Sequence, residues 1–243
     1  MKRSFFRFCL LASITLFSVA CSHSVKLSED EFLIEGEISG VEDGAVINLI
    51  RWDEFTGKTI ASDTLRNGRF TFKEKAESAT DKMTVHSIND GFPPMSLQVW
   101  AAPGVKIKIK GKGKLHPLWD VKSSVPYQKE QNLYKDKSRD IIAENARVSA
   151  ERNDLFQKIR DASSREEARP YVKIIDSLAV VMDSLWLMQT LADVEIMEKK
   201  KDVSRIWLEN MVSVAYLSNP TKYKSKDYYG EFRKKAEKLY SRM

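Results

Sequence analysis

The segment Thr64-Leu65-Arg66-Asn67-Gly68-Arg69-Phe70-Thr71-Phe72 sets the fold class of the first half of the chain. An Asn-Gly pair between two alternating apolar runs predicts a β-hairpin, because a type I′ turn needs positive φ at both central positions. The same alternation, broken by turn residues, runs from Glu31 to about Ser124. About seven short strands at this spacing predict an antiparallel β-sandwich or a partly open barrel.

The second half of the chain has apolar residues at helical spacing instead. A first helix is predicted from Pro126 to about Ala162, because proline fits the first turn of a helix. The chain is therefore predicted to be an α+β protein. A β-sandwich-like domain over residues 31–124 is followed by a C-terminal helical bundle over residues 125–243.

A second helix is predicted after Ser164, which has capping-box spacing with Glu167. Its apolar stripe from Tyr171 to Met188 is broad, and a helix that is apolar around much of its circumference has partners on two sides. Those partners are either other helices of the chain or a second copy of the protein. Two further helices are predicted, at residues 203–217 and 228–240.

The first 20 residues have the parts of a secretory signal peptide. Lys2 and Arg3 precede an apolar run from Phe5 to Ala20, and small residues end that run. The run is too short for a comfortable membrane-spanning helix. Residues 1–20 are therefore predicted to be removed from the mature protein.

Cys21 follows the predicted cleavage site. The sequence Ser18-Val19-Ala20-Cys21 resembles a bacterial lipobox, whose cysteine receives acyl chains such as palmitate and becomes the first residue. The alternative is an ordinary secreted protein with an incidental cysteine. The lipoprotein interpretation makes residues 21–30 a tether anchored to a membrane of the bacterial cell envelope. Because Ser22 rather than aspartate follows the cysteine, the predicted location is the outer membrane, facing the periplasm.

Composition excludes several kinds of site and partner. The chain has 40 basic and 34 acidic residues, and without the signal peptide the basic count falls to 37, which argues against a nucleic-acid partner. It has two cysteines: Cys9 lies within the predicted signal peptide, and Cys21 follows it directly. The folded body therefore has no disulfide, no CxxC redox pair and no cysteine zinc site.

Several short motifs resemble a domain of unknown function in envelope lipoproteins of Gram-negative anaerobes. In that family the domain stands ahead of a thioredoxin-like domain of the peroxiredoxin and thiol-disulfide oxidoreductase type. The resemblance covers roughly residues 30 to 135 and rests on the order and spacing of residues 32–38, 43–44, 62–72, 102–111 and 119–124. The helical remainder resembles the linker helices of longer relatives.

The thioredoxin-like domain itself is absent from this sequence, so the resemblance brings no catalytic residue with it. Either the chain is a free-standing version of the non-catalytic half, or it is a truncated form of a longer protein. No cofactor motif is present, and His23, His86 and His116 lack partners at metal-ligand spacing. The chain is therefore predicted not to be an enzyme but a binding or assembly module. The alternative is an accessory subunit for thiol-disulfide chemistry that acts with a separate thioredoxin-like protein.

The most pointed local feature is a lysine row at alternating positions, which puts the intervening isoleucines on the opposite face of a strand. The row consists of Lys106, Lys108, Lys110, Lys112 and Lys114. One hypothesis is a patch that binds anionic glycans, phosphates or lipid headgroups. The other is a solvated sheet face, or an edge strand that its lysines protect against pairing with another chain.

Aromatic residues in the β domain have two interpretations. Trp52, Trp100 and Trp119, with Phe55 and Phe92, either form core or line a sugar- or peptide-binding face. The core interpretation is favoured, because each ring buries a large area. Two further tryptophans, at positions 186 and 207, lie on apolar stripes of predicted helices and are expected to be packing residues.

Overall fold

A computed structural model of the chain describes residues 26–53, 56–219 and 228–243. Within these ranges the protein is mixed α+β, with two four-stranded sheets and five helices. The predicted signal peptide, Cys21, His23 and Phe55 lie outside the described residues.

The strands and helices follow the predicted order of a β half and a helical half. The strands are β1 (Glu31–Ser39), β2 (Val46–Trp52), β3 (Gly57–Thr64), β4 (Arg69–Lys75), β5 (Asp81–His86), β6 (Leu97–Ala101), β7 (Lys106–Lys112) and β8 (Asp120–Lys122). The helices are α1 (Pro126–Lys137), α2 (Arg139–Asp161), α3 (Arg165–Lys199), α4 (Arg205–Ser218) and α5 (Tyr228–Tyr240). A short 3₁₀ turn at His116–Leu118 separates β7 from β8.

The first sheet has the strand order β4-β1-β7-β8, and the second has the order β3-β2-β5-β6. The prediction of purely antiparallel pairing is wrong at one position, because β1 and β7 run parallel, with Ile34 opposite Ile107. The whole second sheet lies between these two strands in the chain, so their pairing is not that of sequence neighbours.

The Asn67-Gly68 turn has the predicted backbone, with φ of 49° and 69°. The main chains of Arg66 and Arg69 exchange two hydrogen bonds of 3.0 Å across it. The prediction of a hairpin is nevertheless wrong beyond this bridge, because β3 pairs with β2 and β4 pairs with β1. The turn carries the chain from one sheet to the other.

The inner faces of both sheets contribute to one hydrophobic core, which includes Phe32, Leu49, Val85 and Ile109. Neither sheet closes on itself in the described part of the chain. Aromatic rings lie directly over two strand glycines in this core: Phe70 covers Gly36, and Trp119 covers Gly111.

The predicted first helix is two helices, which break at the buried Ser138. Side chains on both sides of the break bind the loop ahead of β8. Lys135 Nζ donates to the Trp119 carbonyl at 2.6 Å, and Arg139 donates to the Leu118 carbonyl at 3.1 Å. These tertiary contacts favour the break over one continuous helix.

Helix α3 begins where the capping signal places it. The Ser164 hydroxyl accepts a hydrogen bond of 3.2 Å from the main-chain N–H of Glu167. The Glu167 carboxylate accepts from the N–H of Ser163, one residue earlier than in the usual capping box. Among the described residues, α3 is long and apolar enough, by its length and composition alone, to cross a membrane. Its most apolar window has a mean hydropathy of 1.4, and 22% of that window is buried.

The helices build a second hydrophobic core around the fully buried Trp207, Val214 and Phe232. The β half contributes Trp100 to this core. Trp100 therefore packs under the helices, and not within the sheet core. The outer face of the second sheet is in this way partly covered by helices, and a cleft lies between this face and the helices.

Candidate functional site

The candidate site lies between the outer face of the second sheet and helices α1, α3 and α4. Alternation along β5 and β6 points Lys82, Thr84 and Gln98 outward, while Met83 and Val85 face the sheet core. In the register of the sheet, Thr84 lies opposite Gln98. The cleft contains two adjoining hollows, a groove and a polar cavity, whose linings share Met95, Ser96 and Gln98.

The groove has a volume of about 760 Å³ and is lined from the sheet by Trp52, Lys82 and Thr84 and from helix α4 by Arg205 and Glu209. Its size falls within the usual range of small-molecule sites. The Trp52 side chain is 44% exposed. Its indole N–H donates to the Thr84 hydroxyl at 2.9 Å, which fixes the ring at the rim of the groove. Of the alternatives for Trp52, an exposed ring fits the binding-face hypothesis better than the core one.

Three charged groups of the groove pair with one another, while the Asp53 carboxylate accepts hydrogen bonds from Thr56. Lys82 Nζ lies 2.6 Å from the Glu209 carboxylate, and Arg205 Nε lies 3.4 Å from its other oxygen. The Arg205 guanidinium also lies 4.9 Å from the centre of the Trp100 ring. Two cations therefore share one carboxylate, and together they tie β5 to α4.

The polar cavity has a volume of about 230 Å³ and lies between β6, α1, α3 and α4. It is wide enough for several water molecules or one small organic molecule. Most of its wall consists of side-chain amides and hydroxyls, from Ser96, Gln98, Gln128, Gln131, Asn132, Tyr134, Gln189 and Asn210.

Three polar groups in this wall are buried and have no hydrogen-bond partner: Oδ1 of Asp193, the Tyr134 hydroxyl and Nδ2 of Asn210. Asp193 is 8% exposed and Tyr134 is 4% exposed. The Asn210 amide is close enough to Tyr134 to oppose the increase in its pKa that burial causes, but the two groups form no hydrogen bond of regular geometry. A buried polar group without a partner costs free energy, and a group supplied from outside the chain removes that cost.

Burial raises the pKa of the Asp193 carboxyl to about 7. The group is therefore largely protonated below neutral pH, and it then both donates and accepts hydrogen bonds. Burial also lowers the pKa of Lys135, whose ammonium donates to the Trp119 carbonyl at 2.6 Å. Asp193 and Lys135 therefore contribute little charge to the cavity.

Other polar groups of the wall have partners and hold the site together. Gln128 Oε1 accepts from the main-chain N–H of Trp100 at 2.8 Å, and its Nε2 donates to Asn132 at 3.0 Å. Asn132 in turn donates to the Val121 carbonyl at 2.7 Å. This chain of bonds joins helix α1 to both sheets.

The two described histidines hold the loop that forms the floor of the cleft. Nδ1 of His86 and Nε2 of His116 both donate to the Met95 carbonyl, at 2.8 and 2.6 Å. Burial lowers the pKa of His116 to about 4, so its ring is neutral at physiological pH. Within the described ranges, no group of three or more histidine, cysteine or acidic side chains converges as a metal site would require.

Four residues of the lysine row lie on β7 of the first sheet, Lys114 follows that strand, and none of the five lines either hollow. Lys106, Lys108, Lys110 and Lys112 are exposed, whereas Lys114 is partly buried and donates to the Asp90 carbonyl at 3.0 Å. The edge-strand hypothesis is wrong, because β7 lies between β1 and β8.

Acidic residues of β1 lie beside the row. Glu35 is opposite Lys108 and Glu37 is opposite Lys110, with an ion pair of 3.0 Å between Lys110 and Glu37. The outer face of the first sheet thus places acidic residues of β1 beside the lysines of β7, although Lys108 also lies opposite Lys122 of β8. A solvated, self-compensating face fits this arrangement better than an anion-binding patch.

Sequence reasoning did not single out the residues of the cavity. Asp193 lies in a run of apolar residues of α3, between Leu191 and Val194. A single carboxylate within such a run was the signal in the sequence that could have identified the site.

Of the other aromatic residues that the sequence singled out, Phe92 and Trp119 pack in the sheet core, and Trp207 is fully buried. The half-buried ring of Trp186 lies 4.8 Å from that of Tyr216.

Comparisons with protein-family models, with curated proteins and with solved structures found no match to this chain. The resemblance to the domain that precedes thioredoxin-like proteins accordingly remains a prediction.

Proposed function

We propose that this chain is a non-catalytic lipoprotein of the bacterial cell envelope that binds a small polar ligand in the cleft between its second sheet and its helices. The observation that carries the proposal is the cavity whose wall holds three buried polar groups without partners, in Asp193, Tyr134 and Asn210. The core shared by both sheets supports a β-sandwich arrangement, with the cleft on one outer face.

Thermal denaturation of the soluble chain beginning at Ser22 tests ligand binding. The probes are glucose, N-acetylglucosamine, glucose phosphate, glutamate, lysine and succinate, each at millimolar concentration. We expect at least one class of probe to raise the melting temperature by about 2–4 °C, because a ligand that binds only the folded state stabilises it.

Two serine variants locate the binding. Ser96 lines both hollows, so Ser96→Tyr fills their junction and should abolish the increase. Ser62→Tyr is the matched control, because Ser62 is exposed on β3 and lines neither hollow. If no probe stabilises the native chain, or if Ser96→Tyr responds like Ser62→Tyr, the proposed function is wrong.

The anchor is tested with the two cysteines. We expect Cys21→Ser to release the protein from outer membranes and to abolish incorporation of labelled palmitate, because acyl chains hold a lipoprotein in the bilayer. Cys9→Ser is the matched control and should leave both properties unchanged. Equal fractionation of the two variants would contradict lipidation at Cys21.

A specific observation also favours assembly. Exposed residues on α3 recur at spacings of three and four, as in a coiled-coil seam: Ile174, Ser177, Val181, Ser184 and Met188. Both serine hydroxyls bond to their own helix, to the carbonyls of Lys173 and Val180. The seam therefore presents apolar atoms and small side chains, which suit close packing of two helices.

We propose that the occupant of this seam is the same seam of a second copy of the chain, because a two-fold axis brings identical heptad-spaced surfaces together. Light scattering should give a dimer mass that Val181→Glu reduces to a monomer mass. A monomer for the native chain would contradict this part of the proposal. Recovery of a thioredoxin-like protein from envelope extract would favour the accessory role instead.

A further inference from the structure

The wall of the polar cavity selects for hydrogen-bonding groups without net charge. Amide and hydroxyl side chains dominate it, among them Gln98, Gln131, Gln189 and Asn210. The Lys135 ammonium already donates to a main-chain carbonyl, and the neighbouring Asp120 carboxylate lies 3.7 Å from it. A ligand anion would therefore meet no free countercharge from this lysine, and it would lose its hydration without compensation. For a cation the Asp193 carboxyl is a weak partner, because burial keeps it largely protonated below neutral pH.

The three unpartnered groups call for a mixture of donors and acceptors. Oδ1 of Asp193 accepts when ionised, Nδ2 of Asn210 donates, and the Tyr134 hydroxyl does both. A hydroxyl of a ligand also does both, so adjacent hydroxyls on one ring can satisfy neighbouring groups of opposite preference. Carboxylate and phosphate oxygens that only accept cannot donate to an ionised Asp193, and its charge would repel them.

The groove beside the cavity offers a different chemistry. The Trp52 ring is held at the rim by its bond to Thr84 and is 44% exposed, so part of its apolar surface is available. A pyranose ring has an apolar face of C–H groups, and burial of that face against an indole is favourable. Because the groove and the cavity share Ser96 and Gln98 in their linings, one extended molecule reaches both.

We infer that the ligand is a neutral saccharide, with one sugar ring hydrogen-bonded in the polar cavity and a neighbouring ring packed against Trp52. This inference rests on the proposed function and adds the class of ligand to it. The paired charges of Lys82 and Glu209 then lie alongside the saccharide and hold the two walls of the groove together.

Titration calorimetry of the soluble chain with glucose, maltose, cellobiose and chitobiose tests the inference. We expect a disaccharide to bind at least about tenfold more tightly than glucose, since the second ring adds contact with Trp52. Trp52→Ala should remove that difference and leave glucose affinity unchanged. Val212→Ala is a matched control, because Val212 is 70% exposed on α4 and lines neither hollow.

Asp193→Asn and Tyr134→Phe should each weaken glucose binding by about tenfold or more, because each removes a hydrogen-bonding group from the first ring. If the saccharides do not bind but glutamate, lysine, succinate or glucose phosphate stabilises the chain in a manner that Ser96→Tyr abolishes, the ligand class is wrong and the proposed function stands. If no probe binds, both fail. Saccharide binding that is unaffected in Trp52→Ala, Asp193→Asn and Ser96→Tyr also overturns the inference.

Discussion

The main-chain N–H of Trp100 donates a buried hydrogen bond of 2.8 Å to Oε1 of Gln128. Strand β6 is an edge of the second sheet, and this bond closes that edge with a side chain from helix α1. The Trp100 ring enters the helical core at the same point. One residue pair thus couples the two halves of the chain and fixes one wall of the cavity.

Replacing Gln128 tests this coupling. Gln128→Leu should lower the free energy of unfolding by about 1–3 kcal/mol, because it leaves the Trp100 N–H buried without an acceptor. Lys129→Leu, at an exposed neighbouring position of α1, is the control and should change it by less than about 0.5 kcal/mol. Urea denaturation measures both, and equal effects would show that the bond contributes nothing.

Asp193 should make stability depend on pH. Its pKa is raised by burial from 3.8 to about 7, so the folded state binds a proton that the unfolded state releases. The contribution of Asp193 to stability is therefore lost as pH rises through this range, by about 3 kcal/mol between about pH 5 and about pH 8. When the Asp193→Asn variant is denatured over the same pH range, its free energy of unfolding should not show this loss. A constant difference between the two proteins would contradict a raised pKa.

His116 should have the opposite effect. Burial lowers its pKa from 6.5 to about 4. The contribution of His116 to stability is therefore complete above pH 6.5, its pKa in the unfolded state, and is lost as pH falls toward its folded-state pKa of about 4. The loss is on the order of 3 kcal/mol, and it offsets the gain from protonation of Asp193 over much of the same range. The ring resonances of His116 in NMR spectra should stay those of a neutral imidazole at pH 5. Titration near pH 6.5 would contradict this account.

Gly36 should tolerate no side chain. A Cβ atom at this position would lie 2.0 Å from the Phe70 ring, so Gly36→Ala should destabilise the fold by about 1–3 kcal/mol through overpacking. Gly230→Ala is the control with the opposite sign. Gly230 lies in α5 with no atom within 4 Å of such a Cβ, and alanine there should stabilise by up to about 1 kcal/mol. Similar effects at both positions, measured by thermal denaturation, would refute the contact.

The lysine row should not form an anion-binding patch. The combined variant Lys106→Gln, Lys108→Gln and Lys110→Gln should leave binding to anionic vesicles and sulfated glycans unchanged, because Glu35 and Glu37 lie beside the row. Co-sedimentation measures vesicle binding. A loss of about tenfold or more in the triple variant would restore the patch hypothesis.

Local signals predicted the elements of this fold, and non-local contacts decided the rest. The Asn67-Gly68 turn and the Ser164 cap depend on neighbouring residues, so their sequence was sufficient. The parallel pairing of β1 with β7 depends on the packing of two whole sheets, which alternation along one strand does not specify.

The candidate site was less accessible to sequence reasoning. Its walls come from β6, α1, α3 and α4, and their polar residues are far apart in the chain. Of the aromatic binding-face candidates that lie in the described ranges, Trp52 alone is exposed. The break at Ser138, which redirects the helices beside the cavity, follows from tertiary bonds of Lys135 and Arg139 that no helical periodicity contains.

Side-chain amide NMR during a saccharide titration tests the central claim most directly. With maltose or cellobiose added to the soluble chain, we predict saturable shifts for the amide groups of Asn210 and Gln98, which lie in the wall of the cavity. Gln157, exposed on α2, is the internal control and should not shift. Shifts at Gln157 alone, or none at Asn210 and Gln98 at saturating disaccharide, would contradict saccharide binding in the cleft.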